Sequence, residues 1–205
     1  MNEPGRPLQF VYFPTTAVVS LMHLLEDGSP SEVAVVGNEG VVGISVFLGS
    51  DSTHTQAVVH KAGFGFRMQA QTIKDEFDRS ASVRHLMLRY TQALTVQMAQ
   101  TGVCNRHHLV TQQLCRRLLF GLDRVQGNHL SMTHELIANM LGVRRERVTL
   151  AALQLQADGL IQYERGRISV TNRQALEQRS CECYAAVKAE YRRLLPVHAG
   201  HIDPA

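Results

Sequence analysis

Gly142 divides two stretches whose apolar residues recur at helical spacing, and few folds accommodate that pattern. Before it, Leu136, Ile137, Met140 and Leu141 form one apolar face. Thr133 can cap that helix, with Glu135 in its first turn facing the positive end of the dipole. Gly142 supplies the tight turn, and Ala138 is small enough to let a second helix approach. That helix starts near Arg144 or Arg145. At roughly 100° per residue, Val148, Ala151, Ala152 and Leu155 fall on one side, and Glu146, Thr149, Leu150 and Leu153 on the other. Arg144, Arg145 and Arg147 crowd its first turn, where cations oppose the dipole. A phosphate or a base edge would offset that cost; the plain alternative is a solvated helix with ordinary charges. Two short strands follow within Gly159–Val170, around a turn at Arg165-Gly166-Arg167. A helix, a glycine turn, a second helix and a hairpin within about 40 residues describe a winged helix-turn-helix. Outward Leu150 and Leu153 leave open a protein-binding use of the same scaffold.

Charge distribution agrees with an anion-binding C-terminal part. Residues 1–90 hold 7 Lys/Arg and 9 Asp/Glu of the chain's 21 and 18, leaving 14 and 9 for the remainder. The net charge of +3 is too small to argue alone. Apolar content of 44 % and charged content of 19 % are those of a globular chain, and 205 residues suffice for two small cores.

The N-terminal part reads differently. Gln9–Phe13, Ala17–Leu25, Ser31–Val36, Gln56–Val59 and Phe64–Met68 are strand-like and separated by turn signals such as Glu26-Asp27-Gly28-Ser29, which predicts a sandwich or barrel. After Gln71 the pattern becomes helical. From Val83 to Cys104, residues 83, 86, 90, 93, 97, 100 and 104 recur at spacings of three and four. Two uses are open: packing on the chain's own β-domain, or a dimer seam. A further helix is expected from about His108 to Arg124.

No apolar run is long enough for a membrane span. Met1-Asn2-Glu3-Pro4-Gly5 lacks the features of a signal peptide, so a cytoplasmic protein with free thiols at Cys104, Cys115, Cys181 and Cys183 is expected. Cys181-Glu-Cys183 lacks the usual structural-zinc spacing, and Cys104 is open as a redox-sensing thiol. His107-His108 reads as a polar patch. The expectation is no metal and no cofactor. No phosphate loop, nucleophile elbow or zinc-protease motif is present, so an enzyme is not expected.

With these residues in view, the chain resembles the Crp/Fnr family. Gly142-Val143-Arg144-Arg145-Glu146-Arg147-Val148 is similar to its Gly-x-Ser-Arg-Glu-x-Val core. Gly159-Leu160-Ile161 and Gly166-Arg167-Ile168 resemble its wing. Tyr12-Phe13-Pro14, Val35 to Gly40 and Val42-Gly43 resemble its β-roll sensor. The resemblance implies an α+β fold: a cupin-like β-roll over 1–80, a dimerisation helix over 81–107, and a winged helix-turn-helix over 108–195. It implies a homodimer on palindromic double-stranded DNA, communicating with RNA polymerase. The interface to DNA would comprise Thr133, Arg144, Arg145, Glu146, Arg147, Thr149 and Leu150, with Arg165 and Arg167 from the wing. Arg145 would reach guanine, Glu146 cytosine and Arg147 a phosphate. The dimer seam would use Val83, Leu86, Tyr90, Ala93, Leu94 and Gln97.

Departures from the family are equally informative. Arg144 stands where a serine commonly caps the helix, and Leu150 where many relatives carry a second base-reading arginine. Gly43-Ile44 and Thr55-Gln56-Ala57 replace the Gly-Glu and Arg-Ser/Thr-Ala contacts to a cyclic nucleotide, so cyclic AMP is not an expected effector. The effector stays open, with a redox- or metal-responsive regulator as an alternative. The family's extra helix and strands before the segment at Glu3-Pro4-Gly5 have no counterpart, so either the start is misassigned or the β-roll is incomplete. The family's N-terminal iron–sulfur cysteines also have no counterpart.

Overall fold

The computed structural model describes residues 5–195; Met1–Pro4, and with them most of the segment read for a signal peptide, lie outside the described residues. Strands β1 (Phe10–Pro14), β2 (Val18–Leu24), β3 (Pro30–Val36), β4 (Thr55–Lys61) and β5 (Gly65–Gln69) form two antiparallel sheets. One has the order β3-β2-β4 and the other pairs β1 with β5. The β2–β3 hairpin closes at Asp27-Gly28-Ser29. There the Ser29 amide donates to the Asp27 carboxylate at 2.8 Å, and Gly28 takes a φ of 82° that side-chain-bearing residues rarely adopt. Val11, Val19, Leu21, Val36, Val42 and Ala57 point inward and make the first core.

Helix α1 (Ala70–Arg79) leads into α2 (Ala81–His107), about 40 Å long at 1.5 Å per residue. Ser80 caps α2, accepting from the Val83 amide. Helices α3 (Val110–Leu122), α4 (His134–Leu141), α5 (Arg145–Ala157), α6 (Arg173–Arg179) and α7 (Glu182–Leu194) build the second core, with a small sheet β6-β8-β7 from His129–Ser131, Arg167–Val170 and Ile161–Glu164. Leu118, Ile137, Val148, Leu155, Ile161 and Ile168 are fully buried there. Helix α7 returns along α2, and α4 lies against β3, so the two cores are in contact.

The expected dimer seam needs correction. Tyr90, Ala93, Leu94 and Gln97 are buried inside the chain itself, and Val83 packs on the β-domain core. The Tyr90 hydroxyl donates to the Val41 carbonyl at 3.1 Å, and a Cβ on Gly40 would lie 2.5 Å from that hydroxyl oxygen. The Gln97 amide acts as a strand fragment. Its oxygen accepts from the Val35 amide at 2.9 Å, and its nitrogen donates to the Val35 carbonyl and the Tyr191 hydroxyl. The physical reason is satisfaction: a buried amide with its partners inside one chain has nothing left for a second. Of the expected seam only Leu86 is exposed. The free face of α2 instead runs through Leu88, Gln92, Thr95, Ala99, Gly102 and Arg106, at spacings of three and four, with Val103 beside it. The stripe exists, two residues out of phase with the expectation.

Candidate nucleic-acid interface

Helix α4 is capped as its sequence suggests. The Thr133 hydroxyl accepts from the Leu136 amide at 3.1 Å. Gly142 ends it at φ 64°, the left-handed region that favours glycine. Helix α5 begins at Arg145, and Arg144 stands at the cap position without a side-chain hydrogen bond to the first turn. The first-turn amides of α5 therefore have no side-chain acceptor, and three guanidinium groups surround them. Such a helix start attracts an anion.

Rotation about α5 is as read from the sequence. Val148, Ala151, Ala152 and Leu155 are buried, while Arg144, Arg145, Glu146, Arg147, Leu150 and Leu153 are exposed and Thr149 half-buried. Leu150 keeps 67 % of its surface and Leu153 56 %. Thr149 faces α4: its hydroxyl lies 3.0 Å from His134 Nδ1 and donates to the Arg145 carbonyl. The His134 ring stacks on Tyr163 of β7, with centroids 4.1 Å apart. Burial, then the charge of Arg145, holds the His134 pKa below its ordinary value. A neutral ring thus fixes α4, α5 and the wing to one another.

The wing turns at Arg165 and Gly166, with φ of 47° and 78°. Two consecutive residues in that region make the tight hairpin turn that matches strand twist. The Met132 amide donates to the Gly166 carbonyl at 2.8 Å, which moors the tip beside Thr133. Arg165 and Arg167 are exposed. Among the described residues, Arg144, Arg145, Arg147, Arg165 and Arg167 form no ion pair.

In the β-domain, a pocket opens between the strands and α2, lined by Leu21, Val42, Ile44, Thr55, Ala57 and Leu94 among others. No arginine, lysine or carboxylate lines it among the described residues.

Sequence reasoning missed one gathering of side chains. Cys104, His108, Cys181 and Cys183, read as separate thiols and a polar patch, place their ligand atoms within 4.8 Å of one another. Spacing in sequence could not show it, because Cys104 and Cys181 are 77 residues apart. Contact with Cys104 draws the Cys181 thiol well below its ordinary range.

The Crp-like helix-turn-helix domain family matches residues 112–179. No curated protein matches the chain in sequence. Solved structures do match in shape. FixK2 from Bradyrhizobium japonicum is 18 % identical, over 88 % of this chain and 92 % of that one, with a TM-score of 0.73. A CRP-family transcriptional regulator from Thermus thermophilus is 19 % identical over the same shares, with a TM-score of 0.74. A Crp/Fnr regulator from Eubacterium rectale is 18 % identical over 87 % of each chain, with a TM-score of 0.67. No helix among the described residues is long and apolar enough to cross a membrane. Residues 112–179 are a Crp-like helix-turn-helix domain, and the chain as a whole has the fold of the Crp/Fnr regulators it resembles.

Proposed function

We propose that the protein acts in the cytoplasm as a homodimer on a two-fold-related operator, recruiting or blocking RNA polymerase. It catalyses no reaction. Residues 1–80 sense, 81–107 join the protomers, and 108–195 bind DNA. Helix α5 enters the major groove, with Thr133, Arg144, Arg145, Glu146, Arg147, Thr149 and Leu150 at the interface. Arg165 and Arg167 of the wing meet the flanking backbone. The carrying observation is the first turn of α5: uncapped, surrounded by three arginines, and free of any carboxylate partner among the described residues. Exposed Leu150 and Leu153 favour the rival reading, a protein partner; five guanidinium groups without an ion pair among the described residues favour nucleic acid.

Binding isotherms on selected operators at two salt concentrations test this. Arg145→Ala should cost about 1–3 kcal/mol and relax preference at one base pair per half-site. Arg147→Ala should weaken specific and non-specific DNA alike and reduce the salt slope by about one per half-site. A salt-independent complex with DNA, or none, would favour the protein partner.

Self-association is assigned to the exposed stripe of α2. Thr95, Ala99 and Gly102 are small, which permits close approach of two helices, and Leu88 and Val103 supply apolar area at its ends. Ala99→Glu should yield a folded monomer by sedimentation with weakened operator binding. A dimer that survives it places the seam elsewhere.

The effector is not cyclic AMP. Its phosphodiester would enter the Ile44–Thr55 pocket with no arginine or lysine to meet it, only the imidazole of His54, and a buried, poorly paired charge is costly. Calorimetry at micromolar nucleotide should show no saturable heat.

A further inference from the structure

We infer that Cys104, His108, Cys181 and Cys183 form a mononuclear, tetrahedral binding site for a thiophilic divalent cation of the zinc type. Three thiols and one imidazole approach from different parts of the chain. Cys104 lies in the last turn of α2, and His108 ends that helix. Cys181 caps α7, and Cys183 sits in its first turn. All three cysteines are buried and form a cluster of their own, apart from both apolar cores.

The distances fit one ion. Cys104 Sγ lies 3.5 Å from Cys181 Sγ, and Cys183 Sγ lies 3.6 Å from His108 Nδ1. Ligands at about 2.0–2.3 Å from a tetrahedral zinc stand roughly 3.5–3.8 Å apart. The four atoms fall within 4.8 Å of one another. That span encloses a single ion and is too tight for the thiolates of a four-iron cluster.

The surroundings are those of a ligand set. His108 Nε2 lies 3.3 Å from the Glu182 carboxylate. A proton held on Nε2 by that carboxylate leaves Nδ1, the nitrogen facing Cys183, with a free lone pair. This is the arrangement by which a carboxylate orients a metal-binding imidazole. Cys181 stands at the N-cap of α7, a helix start whose positive end favours an anionic ligand set. On binding, whatever protons the three thiols still hold pass to solvent. Three thiolates, a neutral imidazole and a dication sum to one negative charge. Arg116, buried and close enough to act on both Cys104 and Cys183, offsets it. Its Nε has no hydrogen-bond partner among the described residues.

Such an ion would fasten the end of the long helix, which carries the β-domain, to the start of α7, which packs back along it. The joint between sensing and DNA-binding parts would then depend on metal and thiol state.

The test uses the full chain, purified without a metal-affinity column and kept reduced. Elemental analysis should find about one zinc per chain. Apo-protein titrated with Co2+ should show thiolate-to-cobalt charge transfer and the intense visible bands of a tetrahedral site. Zn2+ should displace these and raise the thermal midpoint by several degrees. Cys183→Ser should lose the charge-transfer intensity of one thiolate, whereas Cys115→Ser, a buried thiol outside the cluster, should keep the full spectrum. Glu182→Gln, at an exposed carboxylate, should fold normally and bind Co2+ about 10-fold more weakly. If Cys181→Ser does not fold, the wild-type cobalt spectrum still decides. Reduced apo-protein that takes up neither ion overturns the inference, as does a cobalt spectrum unchanged in Cys183→Ser. So does metal-free protein whose Cys104 and Cys181 are found joined in a disulfide.

Discussion

Arg117 and Arg124, in and just after α3, and the arginines of α5 have opposite fates. On α3, Arg117 is fully buried, with its Nε 2.8 Å from Glu32 of β3. Just past the end of that helix, Arg124 reaches Glu39 at 2.6 Å. Both carboxylates belong to the β-domain side, so these pairs lock the two cores together. On α5 and the wing, five arginines stand in solvent with no carboxylate partner among the described residues. The same side chain is paired with a carboxylate of the chain in one place and left open in the other. Buried charge whose partners lie inside the chain specifies an arrangement; exposed charge without partners is available to a ligand.

The largest expected effect breaks the buried half of that contrast. Arg117→Ala strands Glu32 in the interior and should cost about 3–5 kcal/mol. Arg145→Ala should stay within about 0.5 kcal/mol of the parent. Urea denaturation of the two variants measures both. The double variant Arg117→Met with Glu32→Leu should recover most of the loss, since a well-packed apolar pair can replace a buried ion pair. Equal destabilisation by Arg117→Ala and Arg145→Ala would erase the distinction.

A smaller effect follows from the network around the first pair. His60 Nδ1 lies 2.9 Å from the Ser20 hydroxyl, which donates to Glu32, and Nε2 faces Arg117. Burial, then the charges of Arg117, Arg124 and Lys61, lowers the His60 pKa to about 3. The folded protein therefore favours the neutral ring. Between about pH 3 and 6.5 the unfolded chain binds a proton that the folded chain refuses, so stability rises with pH. The contribution is fully present above pH 6.5 and is lost as pH falls, by about 2 kcal/mol between pH 7 and 5. His60→Gln should flatten that slope in denaturation curves at pH 5, 6 and 7. A slope unchanged by the substitution would assign it to other groups.

How much of this was legible in the sequence differs between the two regions for the same reason. The exposed half follows local rules: a capping threonine, a glycine turn and a rotation of 100° per residue place Thr133, Gly142 and the buried and exposed sides of α5, with Thr149 alone turned from the open side toward His134. The buried half is non-local. Glu32 and Arg117 are 85 residues apart, as are Glu39 and Arg124, and no periodicity links them. The α2 stripe shows the boundary. Periodicity gave a helix with a regular face but not which face met the β-domain, because Tyr90 and Gln97 are polar enough to suit an interface. Only their partners, Val41, Val35 and Tyr191, show that they are core. The cysteine site failed for a related reason: Cys104 and His108 form one local pair and Cys181 and Cys183 another, and nothing in the sequence joins the two pairs across more than 70 residues.

The finest test concerns an apolar side chain among the open arginines. Leu150 is exposed on α5, on the same side of the helix as Arg147, with which it shares a cleft beside the α2–α3 joint. Left in water it contributes nothing, and in a partner's apolar pocket it would be a strong anchor. In a major groove it has one apolar feature to meet, the thymine methyl. A single methyl contact is worth at most about 0.8 kcal/mol, well below the loss expected at Arg145. Leu150→Ala should therefore reduce DNA affinity slightly and abolish discrimination between thymine and uracil at one position per half-site. Isotherms on operators carrying uracil at each thymine in turn measure this. Discrimination unchanged by Leu150→Ala removes the side chain from base reading. If DNA binding were untouched while self-association or capture of a protein partner fell, the open face would divide in two, with arginines for the phosphates and leucines for a protein.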